Sequence, residues 1–230
     1  MVQPLAVERD RGQRLFLEAL DAFADVVGSL DDFDLLATSR CAGWRVADVV
    51  AHVHLGLQEM VLGLVSPTDE PPDTDAASYW TTAPPSTDSS ADDLDAVRFV
   101  QRLASAYTRP TGVVAHLRIT TDGLRRAVDA ADADAVAFQG RVLRTGDFLA
   151  TWVVELAVHQ LDLGRELELP APPAAALALA RRTVEALADG DLPAAWPDEL
   201  AVLIGSGRIE LDDARRREAG LVADRLPSLA

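Results

Sequence analysis

The sequence predicts a mainly α-helical protein, a four-helix bundle with a long crossover loop and a small C-terminal helical extension that has room for a strand. Three observations carry this expectation. Apolar residues recur at three- and four-residue spacing through several long segments. One connection, Ser66 to Asp93, is far longer than the others and rich in Pro, Asp, Ser and Thr. One segment, Trp152 to Gly164, is apolar nearly all round, which suits a helix in a protein interior. The bundle is expected over residues 1–170 and the extension, packed on it, over 171–230; a chain of 230 residues can bury a sizeable core.

Taken in order, Glu8 to Leu30 places Leu15, Phe16, Leu20, Phe23, Val26 and Val27 at helical spacing, with charges between them. Thr38-Ser39-Arg40-Cys41-Ala42-Gly43-Trp44 reads as a turn into the next helix. That helix, Val46 to Val65, carries an apolar stripe through Val49, Val50, Val53, Leu57, Met60 and Leu64. His52 and His54 interrupt it and point to nearly opposite sides, and the helical wheel does not choose between them. The Ser66 to Asp93 connection is either a solvated acidic loop or a lid whose Tyr79 and Trp80 cover a pocket mouth.

A third helix is expected from Asp92 to Ala131, with Ser90 as its N-cap and a break near Pro110. Alternation through Val136, Phe138, Gly140 and Val142 predicts an extended segment or short hairpin. Thr145 is the expected cap of the apolar helix, which ends before Pro170. Helices are then predicted over Pro173 to Leu187, Pro197 to Ile204 and Asp212 to Ala219, with Gly205-Ser-Gly-Arg208 as a turn.

A formal net charge of −16 argues against nucleic acid or an anionic membrane as partner, since both need clustered positive charge. No apolar stretch reaches the roughly 18 residues of a membrane span, and the first residues lack the pattern of a secretory signal. A cytoplasmic location is expected, with small molecules as partners and a monomer or homodimer as the assembly. The single cysteine, Cys41, excludes an internal disulfide framework. Every basic residue is Arg, and Lys and Asn are absent, which reads as coding bias rather than chemistry.

The chemistry concentrates on the apolar helix. Phe148, Trp152, Glu155, His159 and Asp162 share one face of it. An ionised carboxylate or bare imidazole inside a protein costs several kcal/mol unless something pairs with it. Two partners fit at this point: a divalent metal held by Glu155 and His159, or a buried Glu155–His159 hydrogen bond inside the bundle.

Two blocks, Cys41-Ala-Gly-Trp44-Arg-Val-Ala-Asp48-Val-Val-Ala-His52 and Glu155-Leu-Ala-Val-His159-Gln-Leu-Asp162-Leu-Gly164, resemble the mycothiol-dependent maleylpyruvate isomerase family. That family belongs to the DinB-like superfamily of metal-binding four-helix bundles. The tail, Leu203-Ile-Gly-Ser-Gly-Arg208 and Ala223-Asp-Arg-Leu-Pro227, is similar to the family's C-terminal segment, so the likeness spans nearly the whole chain. The resemblance implies a divalent metal, typically Zn2+, held by His52, Glu155 and His159, and it favours His52 over His54. It further implies mycothiol or another low-molecular-weight thiol as co-substrate, deprotonated at the metal and transferred to, or used to isomerise, a small electrophile. Asp162 is expected to orient a ligand or take the thiol proton, and Arg208 to fork onto a substrate carboxylate or stand as a surface arginine. Cys41 is expected to be packed structurally, and a contribution from His54 stays open. Two other readings share the residues: a non-haem iron enzyme that activates oxygen, and a metal- or small-molecule-binding protein without turnover.

Overall fold

The structure, a computed structural model, describes residues 2–81 and 89–229. Five long helices come first: α1 (Arg9–Gly28), α2 (Val46–Leu64), α3 (Ser89–Ser105), α4 (Thr111–Asp129) and α5 (Thr145–Leu163). The four-helix bundle consists of α1, α2, α4 and α5. Each of these packs on two others, α1 on α5 and α4, and α2 on α4 and α5. The apolar stripe of α1, from Leu15 to Val27, is buried in the shared core, as is Val46 to Met60 of α2.

The third predicted helix is two helices. Pro110 stands at the N-cap of α4, where its missing N–H costs nothing, and α3 has already ended at Ser105. The Ser90 side chain lies outside the described residues, as do residues 82–88 of the long connection. The described part of that connection runs along the hairpin, where Thr68 donates its N–H to Ala135 and Ala137 donates to Ser66.

The predicted extended segment is an antiparallel hairpin, β1 (Ala135–Phe138) with β2 (Arg141–Arg144). Its two-residue turn puts Gln139 at φ 49° and Gly140 at φ 75°, the left-handed pair that matches the twist of a tight hairpin. β2 runs directly into α5, so Arg144 and not Thr145 takes the N-cap position. The Thr145 hydroxyl instead donates to the carbonyl of Ala133, tying the helix start to the segment that leads into β1.

Close helix approach fixes where α5 sits. A Cβ on Gly146 would fall 2.0 Å from the carbonyl oxygen of Val7, and one on Gly12 would fall 2.8 Å from that of Gly146. Two glycines therefore let the start of α1 cross the start of α5 backbone to backbone. Beyond the bundle come α6 (Ala174–Ala188), α7 (Asp198–Gly205) and α8 (Asp213–Ala219). α6 packs on α5, α7 and α1. Among the described residues both named strands belong to the hairpin before α5, and the extension is helical, without the strand allowed for there.

Candidate metal centre

Every residue of α5 from Thr145 to Leu163 is buried except Glu155, which is partly open to a cavity. One turn on, His159 brings its Nε2 to 3.1 Å from Glu155 Oε2. His52 approaches from α2, its ring edge-on to that of His159 with centroids 4.8 Å apart. One ligand-capable atom from each of His52, Glu155 and His159 lies within 4.8 Å of the other two. Tetrahedral zinc with nitrogen and oxygen at about 2.0–2.2 Å separates two of its ligands by about 3.3 Å. The His159–Glu155 spacing is close to that edge, and two imidazoles with one carboxylate are a donor set zinc accepts, so the residues present fit such an ion.

Asp162 is fully buried and holds this arrangement from behind. The Nδ1 of His159 donates to its Oδ2 at 2.9 Å, and Cys41 Sγ donates to the same oxygen at 3.1 Å. Arg208 grips both carboxylate oxygens, Nε to Oδ1 at 3.1 Å and Nη2 to Oδ2 at 3.2 Å. The Nη1 of Arg208 takes the carbonyl of Ser206 at 2.8 Å. Three donors from three parts of the chain thus converge on one carboxylate.

These contacts set the protonation states. Burial pushes the Asp162 carboxyl up, but the His159 and Arg208 partners outweigh it and bring it down to about 2. Burial likewise opposes the imidazolium of His159, yet its hydrogen bonds to Asp162, Cys41 and Glu155 lift it well above the ordinary histidine value. Glu155 is raised by burial and lowered more strongly by His159, ending below its usual value. His52 goes the other way: burial first, then repulsion from His159, lowers it to about 4, so it is neutral at pH 7.

The trio opens onto a cavity of about 570 Å³ that is also lined by Arg40, Cys41, Trp44, Trp80, Val154, Val158 and Arg208. Trp44 lies over His52 with ring centroids 5.3 Å apart. Trp80 comes from the long connection, whereas Tyr79 turns toward the hairpin, its hydroxyl donating to Gln139 and its ring under the Arg141 guanidinium.

His54 belongs to a different environment. It is 5 % exposed, stacks on His116 at 6.0 Å and leaves its Nδ1 without a partner among the described residues. His116 in turn bonds the Tyr107 hydroxyl at 2.9 Å.

A search against known families matches residues 16–164 to the one described as Mycothiol maleylpyruvate isomerase N-terminal domain. The chain belongs to this family. Two solved structures, of a mycothiol-dependent maleylpyruvate isomerase and of a histidine-to-alanine mutant of it, share its fold. Each has a TM-score of 0.53, 15 % identity, and a match covering 77 % of this chain and 70 % of the other. No curated protein matches the sequence.

The stretch matched to the maleylpyruvate isomerase family runs through α5, so it contains His52, Glu155, His159 and Asp162, while Arg208 lies beyond it. All five residues singled out in the sequence meet at one place in the structure. Arg208 arrives with its fork already filled by Asp162. Cys41 is half-buried at the cavity wall and bonded to Asp162, a more exposed position than a purely packed cysteine would hold. Arg40 and Trp44 also line the site, Trp44 from within the Cys-x-Gly-Trp block that carried the resemblance and Arg40 from the position just before it, and neither stood out in the sequence as a site residue.

Proposed function

We propose that the chain holds a divalent cation, zinc in the first place, at His52, Glu155 and His159 and uses it as a mycothiol-dependent isomerase or transferase acting on a small electrophile. The observation that carries this reading is His159 held from both sides, Nδ1 by Asp162 and Nε2 facing Glu155. A carboxylate on the far nitrogen of a ligating histidine fixes its tautomer and raises its basicity. His52, Glu155 and His159 would hold such a cation, which would supply a site that favours thiolate over thiol.

The chain's own residues do the rest. Neutral His52 offers a lone pair at pH 7 instead of a proton. Asp162, held at about 2 with both oxygens engaged, orients His159 and makes a poor base for the thiol proton. Val154, Val158 and the Trp44 ring line the cavity with apolar surface that reduces water at the reacting atoms and strengthens the fields there.

The test is metal content by plasma mass spectrometry on protein purified without chelator, beside Glu155→Ala, followed by thiol consumption in the presence of small electrophiles. Near-stoichiometric zinc that is lost in the variant, with thiol consumed only by the loaded protein, is the expected result. Redox-active iron would move the reading to oxygen chemistry, because the same donor set holds ferrous iron. No metal in either protein, even after reconstitution, sinks the proposal.

A further inference from the structure

The charged side chains around the cavity balance, with one exception. Glu155 faces His159, and Arg208 is bound to Asp162. Arg40 has no carboxylate within ion-pair distance among the described residues, yet it lines the same cavity. Its position is fixed by the end of α5. Its backbone N–H donates to the carbonyl of Asp162 at 2.9 Å, its Nε to that of Leu161 at 3.0 Å and its Nη2 to that of Gly164 at 3.0 Å.

Those side-chain bonds use one edge of the guanidinium, the edge formed by Nε and Nη2. The other edge, Nη1 with the second Nη2 hydrogen, has no partner among the described residues. Two parallel N–H groups at that edge match the two oxygens of a carboxylate. The carbonyls at the helix end carry only partial negative charge, so they orient the guanidinium without neutralising it. In a chain of net charge −16 this leaves a pinned, unmatched cation at the cavity wall.

We infer that Arg40 is the residue that recognises a carboxylate of the substrate, receiving it in bidentate fashion at its free edge while the reacting part of the molecule lies toward His52, Glu155 and His159. The inference rests on the proposed function for the identity of the reacting centre, and it moves the anion-binding role from Arg208, whose fork is filled, to Arg40, whose fork is open. Arg40 is thereby a specificity-determining residue, selecting small electrophiles that carry a carboxylate over their uncharged counterparts.

Succinate and its uncharged diamide, succinamide, probe this directly, because they have nearly the same shape and neither reacts with thiols. Calorimetric titration of the full-length, metal-loaded protein is expected to show succinate binding about tenfold or more tighter than succinamide. Arg40→Met weakens succinate binding by about tenfold or more relative to wild type and leaves succinamide binding unchanged. Arg40→Lys, which keeps a cation to hold the end of α5 but has no fork, falls between the two. Any affinity of succinate for the metal is common to all three proteins and cancels in the comparison.

Arg40→Met binding succinate within about twofold of wild type overturns the inference, as does a wild-type protein with no preference for succinate. Should Arg40→Met fail to fold, as its melting curve would reveal, Arg40→Lys decides: wild-type affinity for succinate in that variant refutes the fork. Metal content and thiol consumption on the same preparations report on the proposed function separately. Loss of either leaves an Arg40-dependent succinate preference standing, and their retention does not rescue one that is absent.

Discussion

The two ends of α5 each bury an aspartate, and the two behave oppositely. Asp147 sits in the first turn and is 2 % exposed; Asp162 sits in the last turn and is fully buried. The helix dipole favours a negative charge at the first position and opposes it at the second. Yet Asp147 is pushed up to about 6, by burial first and by Asp75 and Glu8 nearby, with the Val7 N–H at 2.7 Å only partly offsetting this. Asp162 is brought down to about 2 because His159 and Arg208 bond it directly. Charged donors at about 3 Å outrank the dipole of the helix that carries the group. The partners, and not the helix position, make one end a place for cations and leave the other a strained structural contact.

The largest test of this contrast is Asp162→Asn. Losing the charge leaves Arg208 without its carboxylate and gives the far nitrogen of His159 at most a neutral amide oxygen, so stability should fall by about 3–5 kcal/mol. Metal affinity, read by competition with a chelator, should fall about 10- to 100-fold. An unchanged affinity would break the contrast at its functional end.

Asp147→Asn should act in the opposite direction and depend on pH. With its folded value raised to about 6 against an ordinary 3.8, Asp147 contributes stability that is fully present below about pH 4 and lost as pH rises through 6. Denaturant melts should therefore show wild type and Asp147→Asn close together at pH 3.5, with the variant more stable by up to about 3 kcal/mol at pH 7. Parallel stability curves for the two proteins would mean that Asp147 is solvated or paired after all.

The smallest effect sharpens the same point with histidine. His54 is buried more fully than His52 but has His116 for a neighbour and no carboxylate partner among the described residues, and burial lowers its basicity. His54→Leu should leave metal content unchanged and raise the unfolding free energy slightly, by about 1 kcal/mol in a denaturant melt, because an unpartnered buried nitrogen is removed. Loss of metal in this variant would show that the second histidine pair also supports the centre.

Much of the fold was legible because it rests on local rules. The 3.6-residue period marked α1 and α2, the nearly all-round apolar character marked α5, Pro110 marked the break between α3 and α4, and alternation around Gly140 marked the hairpin. The cap at Thr145 was misread because a hydroxyl before an apolar run has other uses: here β2 runs straight into the helix and the hydroxyl bonds the Ala133 carbonyl ahead of β1. The Glu155–His159 pairing was legible from spacing alone. The choice between His52 and His54 was not, since both are buried or nearly so and the distinction lies in which helix packs on which side of α2: α5 carries carboxylates and α4 contributes His116. Arg208 was visible as a motif but not as a partner of Asp162, 46 positions away, and Arg40 was invisible as a site residue because its guanidinium is placed by the carbonyls of Leu161 and Gly164, more than 120 positions away.

The grip of Arg208 on Asp162 also has a meaning in time. The two residues lie 46 positions apart, with α6 and α7 between them. During synthesis α5 emerges complete with Glu155, His159 and Asp162 well before Arg208 exists. A nascent chain therefore carries a buried carboxylate with its guanidinium still to come, and the centre is finished only after α6 and α7 have been made. A release of the chain before that point would yield a bundle whose histidine is held on a weaker support.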